Sequence, residues 1–226
     1  MIDEMTAKGY QFSRGERGLS LYHRASGASL HCDFVRGARA ERIKRMTAAA
    51  DLAKAVGVRR SGVSCLDATC GLATDGMSLQ RLGCRVTMIE HSFAIHALVE
   101  DALLRFERSL ERHRVAQALP RLYLGDALEL IPQLPPHEVI YLDPMYSLTH
   151  KSAQPNKAMQ FFRDLAEAAS PEKDGQLFEL ALRHATRRVV VKRSVNAPPI
   201  SPMKVNFSVK AKTTRFDVYV PSSRAS

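Results

Sequence analysis

Val63-Ser64-Cys65-Leu66-Asp67-Ala68-Thr69-Cys70-Gly71-Leu72-Ala73-Thr74-Asp75-Gly76 is the stretch that settles the architecture. Val63 to Asp67 reads as a short apolar strand and the small residues after it as a turn. From Thr74 a helix runs through Met77, Leu79 and Leu82 to Gly83. Strand, small-residue turn and helix, in that order, open a doubly wound Rossmann-like sheet. The turn is not a dinucleotide fingerprint: only Gly71 lies squarely in it, there is no lysine, and it carries two acids. A phosphate cradle wants several glycines for close backbone approach, and often a lysine. The loop therefore speaks against a pyrophosphate and for a smaller, cationic ligand.

The pattern repeats on the C-terminal side. Arg85 to Glu90 is a second strand, ending in an acid where such folds bind ribose hydroxyls. A helix follows over about Phe93 to Glu111, with Ile95, Leu98, Val99, Ala102, Leu103 and Phe106 on one face. Arg121 to Asp126 is a third strand, whose Asp126 is placed to accept from a base edge of a bound nucleoside. The fourth is Val139-Ile140-Tyr141-Leu142-Asp143-Pro144-Met145-Tyr146. Proline cannot donate to a ladder, so Asp-Pro halts the strand. The Asp143 carboxylate, the Pro144 carbonyl and the Tyr146 ring then meet at a strand's carboxyl end. They suit a flat heterocycle with an exocyclic amine, offering two acceptors for N–H groups and a ring to stack on. The plainer reading is an Asp-Pro turn with Tyr146 as ordinary packing.

Later segments close the sheet. Ser147 to Asn156 reads as a polar loop, and Met159, Phe162, Leu165 and Ala166 mark a helix. A second helix carries Leu177, Leu180, Ala181 and His184, and Arg187 to Arg193 is an apolar strand flanked by cations. Lys204–Lys210 and Thr213–Val220 alternate as an antiparallel hairpin. At the N-terminal end, residues 1–40 read as a small basic β-rich appendage to a 41–226 domain. A helix is expected over Ala40–Val56 with Gly57 as its C-cap. Phe12, Tyr22 and Phe34 are either the appendage's own core or platforms for bases.

Composition points to partners. The 226 residues carry 33 Lys+Arg against 23 Asp+Glu, a formal charge of +10. That excess favours a polyanion, most simply nucleic acid, over a merely solvated basic surface. Lys192, Arg193 and Arg215, near one end of the sheet, either contact RNA phosphates or solubilise strand ends. No apolar run approaches a membrane span, and the N-terminus lacks a signal-peptide core, so a cytoplasmic protein is expected. Cys32, Cys65, Cys70 and Cys84 form no zinc spacing, and no metal is expected.

Alternating βα units bring Asp67, Glu90, Asp126 and Asp143 to one sheet edge. An acid-rich, phosphate-free pocket with a ribose-binding acid suits S-adenosylmethionine, whose sulfonium and ammonium are cationic. Leu66-Asp67-Ala68-Thr69, Gly71-Leu72…Asp75, Leu82-Gly83-Cys84-Arg85-Val86, Val139 to Met145, Arg188 to Arg193 and Arg215-Phe216-Asp217-Val218-Tyr219 resemble the RsmJ (YhiQ) family. The resemblance, from about Asp33 to Val220, implies a class I S-adenosylmethionine-dependent methyltransferase sheet. It also implies action on guanine N2 of 16S ribosomal RNA or the small ribosomal subunit. Carried over, the family's cofactor contacts fall at Thr74, Asp75, Glu90, His91, Asp126, Ala127 and Asp143, beside the Asp67 and Gly71 read from the turn. Ala73-Thr74 departs from the family's Gly-Arg, Asp126-Ala127 replaces small hydroxylic residues, and Tyr146 replaces a common Phe. The competing readings are methylation of another amine such as adenine N6, and a non-catalytic RNA-binding module.

Overall fold

The structure is a computed structural model that describes residues 2–58, 61–144 and 170–221. After α1 (Ile2–Ala7), the short alternating runs become β1 (Tyr10–Gly15), β2 (Gly18–His23) and β3 (Ser29–His31), a three-stranded antiparallel sheet. Tyr10, Leu21, Leu30, Cys32 and Phe34 bury their side chains in one cluster with the main sheet. Phe12 packs edge-on against Phe93, with centroids 6.3 Å apart, while Tyr22 stays 40% exposed. Two of the three aromatics are therefore core.

α2 (Gly37–Arg45) and α3 (Asp51–Val56) replace the single helix expected over Ala40–Val56. The chain turns extended at Met46 (ψ 132°) and Ala50 (ψ 148°). The reason is tertiary: α2 packs on α4 (Thr74–Arg81), whereas α3 packs on the antiparallel end of the main sheet. One straight helix could not serve both neighbours. Gly57 does cap α3, at φ 74°.

The main sheet holds β4 (Ser64–Asp67), β5 (Arg85–Glu90), β6 (Arg121–Leu124), β7 (His137–Leu142), β8 (Ala185–Ser194), β9 (Phe207–Lys210) and β10 (Thr214–Tyr219). Its order is β6-β5-β4-β7-β8-β10-β9, parallel through β8 and antiparallel thereafter. The strands are apolar on both faces because both faces are covered. Cys65, Val139, Tyr141 and Val190 point to the layer holding α3, α4, α5 (Phe93–Arg112) and the small sheet. Leu66, Ile140, Leu142, Val189 and Val191 point to the opposite layer. There Phe178 and Ala181 of α7 (Pro171–His184) complete the packing, beside α6 (Ala127–Leu130).

Chain order reverses between β4 and β7, since β5 and β6 extend the sheet one way and β7 the other. Open α/β sheets bind ligands beyond the carboxyl ends of their strands at such a switch point. The expected helix around Met159–Ala166, the loop at Ser147–Asn156 and Tyr146 lie outside the described residues. Among those described, no helix is long and apolar enough to cross a membrane, and no group of His, Cys, Asp and Glu could hold a metal ion.

Candidate active site

β4 and β5 end in Asp67 and Glu90, Asp143 follows β7 and Asp126 follows β6, so the four acids share the carboxyl edge of the parallel strands. They are held in two different ways.

On the β5–β6 side the partners are mostly backbone amides. Glu90 takes the Gly71 N–H on Oε2 (2.9 Å) and the Ser92 N–H on Oε1 (2.8 Å). His91 Nδ1 lies 3.5 Å from the same Oε1. Burial pushes the Glu90 carboxyl up, against the Ser92 amide, His91 and the Gly71 amide that favour its ionised form. Asp126 caps α6 by accepting from Leu128 N–H (2.9 Å), and its other oxygen lies 3.6 Å from Lys173 Nζ. Ala127 follows it, buried. Gly71 (φ 53°) and Ala73 (φ 56°) both adopt the left-handed conformation around the turn. Gly76 lies so close to the sheet that an added Cβ would come within 2.8 Å of Met88 Sδ and 3.2 Å of Asp67 Oδ2.

Side chains hold the β4–β7 side. Lys192 Nζ donates to Asp143 Oδ2 (2.7 Å) and to Asp75 Oδ2 (3.0 Å). The Tyr141 hydroxyl donates to the same Asp75 oxygen (2.8 Å), and Arg42 reaches Asp75 Oδ1 at 3.4 Å. Asp67 is 1% exposed, with the Thr69 amide 3.4 Å from Oδ1. The Thr69 hydroxyl in turn accepts the Asp143 N–H (2.6 Å), tying the β4 and β7 ends together.

Two carboxylates thus share one inner ammonium beside a third, buried Asp67, and their proton affinities separate accordingly. Burial pushes the Asp67 carboxyl well up, and the Asp75 charge adds to it. Burial also acts on Asp75, but Lys192, the Tyr141 hydroxyl and Arg42 overcome it and hold Asp75 below its ordinary value. Asp143 goes up, pushed by burial and pulled back only in part by Lys192. Burial alone would lower the Lys192 ammonium; Asp143 and Asp75 more than reverse that and raise it.

The cations expected to face RNA behave differently. Arg193 is 2% exposed, with Nε donating to the Pro198 carbonyl (3.0 Å). Arg215 is 8% exposed, with Nε on Asp217 Oδ1 (2.9 Å) and Nη1 on the carbonyls of Ser194 (2.9 Å) and Val195 (2.6 Å). Both guanidiniums brace the antiparallel hairpin, because a buried Arg needs acceptors and the loop after β8 supplies carbonyls. Lys192 points into the acid cluster. The structure thus turns Arg193 and Arg215 inward and sets Lys192 against Asp75 and Asp143, rather than presenting the three as an outer row of cations.

The family model described as "Putative SAM-dependent methyltransferase" matches residues 2–221. "Ribosomal RNA small subunit methyltransferase J" of Thioalkalivibrio sulfidiphilus is 41% identical over 212 residues, covering 90% of this chain and 81% of the relative. Its namesake in Ectopseudomonas mendocina is 40% identical over 214 residues, covering 91% and 80%. The chain belongs to this methyltransferase J family. A crystal structure of a SAM-dependent methyltransferase from Neisseria gonorrhoeae superposes with a TM-score of 0.73 at 27% identity, covering 96% of this chain and 84% of that one. The rRNA methyltransferase aviRa of Streptomyces viridochromogenes, at 18% identity and a TM-score of 0.51 over 74% of this chain and 81% of that one, shares the fold.

S-adenosylmethionine is the family's cofactor, and the donor set fits it. Acids line the switch point; Lys192 and Arg42 neutralise its Asp75 and Asp143 side, with Arg39 beside them. Glu90, held by backbone amides, stays uncompensated by Lys or Arg among the described residues, an acid kept for a ligand without phosphate. Thr74 sits at the start of α4, its Oγ1 accepting from the Arg39 guanidinium, which also reaches the Leu72 carbonyl (3.4 Å). Two features of this methyltransferase were not assigned from the sequence. The Tyr141 phenol hides in an apolar run, where the only clue is that a buried hydroxyl needs a partner. Arg39 and Arg42 reach the site from α2, and their three-residue spacing was the available signal.

Proposed function

We propose that the protein methylates the exocyclic N2 of a guanosine in 16S ribosomal RNA. The arrangement of Asp143 and Pro144 at the switch point, next to the turn over α4 and held by Lys192, carries this reading. The relatives' name supplies the rRNA, and the resemblance to the RsmJ family supplies the guanine. Asp143 and the Pro144 carbonyl would accept the two N–H groups of the amine. Those hydrogen bonds draw the nitrogen lone pair out of conjugation with the ring, and Asp143 takes the proton as the amine becomes secondary. Bound S-adenosylmethionine supplies the electrophilic methyl group. We assign its binding to Asp67, Gly71, Thr74, Asp75, Glu90, His91, Asp126 and Ala127, with Tyr146 as the ring under the base. Lys192 keeps the Asp143 carboxylate turned toward Asp75, so one oxygen is fixed and the other is free for the amine. Positioning then supplies most of the rate.

The test is transfer from labelled S-adenosylmethionine to 16S rRNA of a strain lacking the enzyme, followed by nuclease digestion and mass spectrometry. N2-methylguanosine at one position is expected. N6-methyladenosine would favour the other amine, and absence of transfer to both rRNA and small subunits would overturn the proposal.

A further inference from the structure

Lys192, Arg193 and Arg215 turn inward, and a concave basic surface lies elsewhere. A cleft of about 830 Å³ opens between the small N-terminal sheet, the start of α2 and the C-terminal half of α5. Arg105, Arg108, Ser109 and Arg112 line it at helical spacing from one face of α5. Arg105 builds the wall: its Nε donates to Asp101 Oδ2 (2.8 Å) and its Nη1 pairs with Asp33 Oδ2 (3.2 Å), pinning α5 to the chain after β3. Asp33 is further occupied through Oδ1, which accepts the Val35 N–H (2.7 Å). Arg17, Arg36, Arg108 and Arg112 are exposed and make no side-chain hydrogen bond or ion pair among the described residues. Among the described lining residues, Glu16 is the acid left to oppose them.

Cations gathered on a concave wall repel one another, and their spacing suits a chain of anions. The cleft also leads to the chemistry. Arg39 lines it while reaching the Leu72 carbonyl and the Thr74 hydroxyl at the cofactor turn, and Arg42, one turn along α2, reaches Asp75.

We propose that this cleft holds the sugar-phosphate backbone of the RNA flanking the target nucleotide. The proposal rests on the methyltransferase reading above for the identity of the polyanion. Its test compares the full-length wild type with R108E/R112E and the neutral R108Q/R112Q, using 16S rRNA as probe in filter binding across a salt series. Both variants should melt within a few degrees of wild type, because the replaced side chains are exposed and bond no described residue. Affinity at moderate salt should fall roughly tenfold or more in R108E/R112E, and the slope of log affinity against log salt should flatten by about 1.5, as for two lost phosphate contacts. R108Q/R112Q should show the same flattening with a smaller loss. S-adenosylmethionine affinity by calorimetry should stay within about twofold of wild type.

Equal RNA affinity and slope in all three proteins would overturn the cleft and leave the methylation reading standing. Cleft-dependent RNA binding without methyl transfer would overturn the methylation reading and support the cleft. Competition by duplex DNA as strong as by RNA at equal phosphate concentration would overturn the assignment to RNA.

Discussion

The two halves of the acid row are held by different chemistry. Glu90 is fixed by the amides of Gly71 and Ser92, neutral dipoles that cannot leave or titrate. Asp75 and Asp143 are fixed by a lysine, and Asp75 also by a phenol, groups whose charge and direction can change. A backbone-held acid makes a rigid frame for a cofactor. A carboxylate held by a side-chain cation can give up its partner or accept a proton. On the proposed reading, the difference sets Glu90, a rigid acid for the cofactor, apart from Asp143, the acid that reacts, and each substitution below strains that distinction.

The largest effect is expected at Asp143. D143A should lower turnover by about 10²- to 10⁴-fold, the range for a lost general base. Single-turnover methylation of rRNA measures it, with calorimetry showing that S-adenosylmethionine still binds; near-normal turnover would end the assignment. The pH profile follows from the same carboxyl. It must be ionised to accept the proton and its affinity for protons is raised. The acid limb of kcat should therefore lie above the ordinary carboxylate range and disappear in D143A.

K192M should come next. Removing the shared ammonium leaves Asp143 without its cation and Asp75 with only the Tyr141 hydroxyl and the longer Arg42 contact. A fully buried case costs roughly 3–5 kcal/mol, and partial exposure here brings the expectation to about 2 kcal/mol. Asp75 is held below its ordinary value, so its contribution is present above that value and lost as pH falls through its depressed one. Lys192 is raised, so its contribution is present below the ordinary lysine value and lost as pH climbs through its elevated one. The stability gap between wild type and K192M should be full at neutral pH and close at both extremes. Denaturant melts across pH would show it, and a gap independent of pH would mean the lysine acts by packing alone.

E90Q probes the rigid half. An amide replaces one acceptor by a donor, so one of the Gly71 and Ser92 amides must face an N–H. Cofactor affinity should fall about tenfold, near the 1.5 kcal/mol of a hydrogen bond to a charged group, with kcat at saturation kept within a few-fold. A collapse of kcat instead would erase the distinction between the halves.

What the sequence disclosed follows the same division. Period, turn chemistry and strand-end acids are local, so β4 to β7 and the four acids at their ends were legible from single segments. Lys192 and Arg193 show where that stops. They are neighbours in one strand, so their side chains take opposite faces. Whether either meets an acid depends on β8 pairing with β7, in a register where Leu142 faces Val191. Strand pairing is not local, so both read equally as strand-end cations. The same holds for α2, whose Arg39 and Arg42 read as basic surface until packing on α4 turned them to the cofactor turn.

The smallest effect is expected at Ala73, where the family's turn has glycine. Its φ of 56° and ψ of 23° lie in the left-handed region, costing a non-glycine residue about 1 kcal/mol. The turn enforces this: Ala73 N–H bonds Cys70 O (2.8 Å), Cys70 N–H bonds Ile89 O (3.1 Å), and Gly71 is bound to Glu90. A73G would release the strain. It would also remove a fully buried methyl worth roughly 0.8 kcal/mol and loosen the unfolded chain by about 0.4–1 kcal/mol. The opposing contributions nearly cancel, so calorimetric melting should move by no more than about 3 °C, with cofactor affinity unchanged. A rise well beyond that would mean that the turn stores more strain than one residue accounts for. In that case the rigid half would be held under tension by its backbone hydrogen bonds, and its amide-held acid would be less fixed than the lysine-held one.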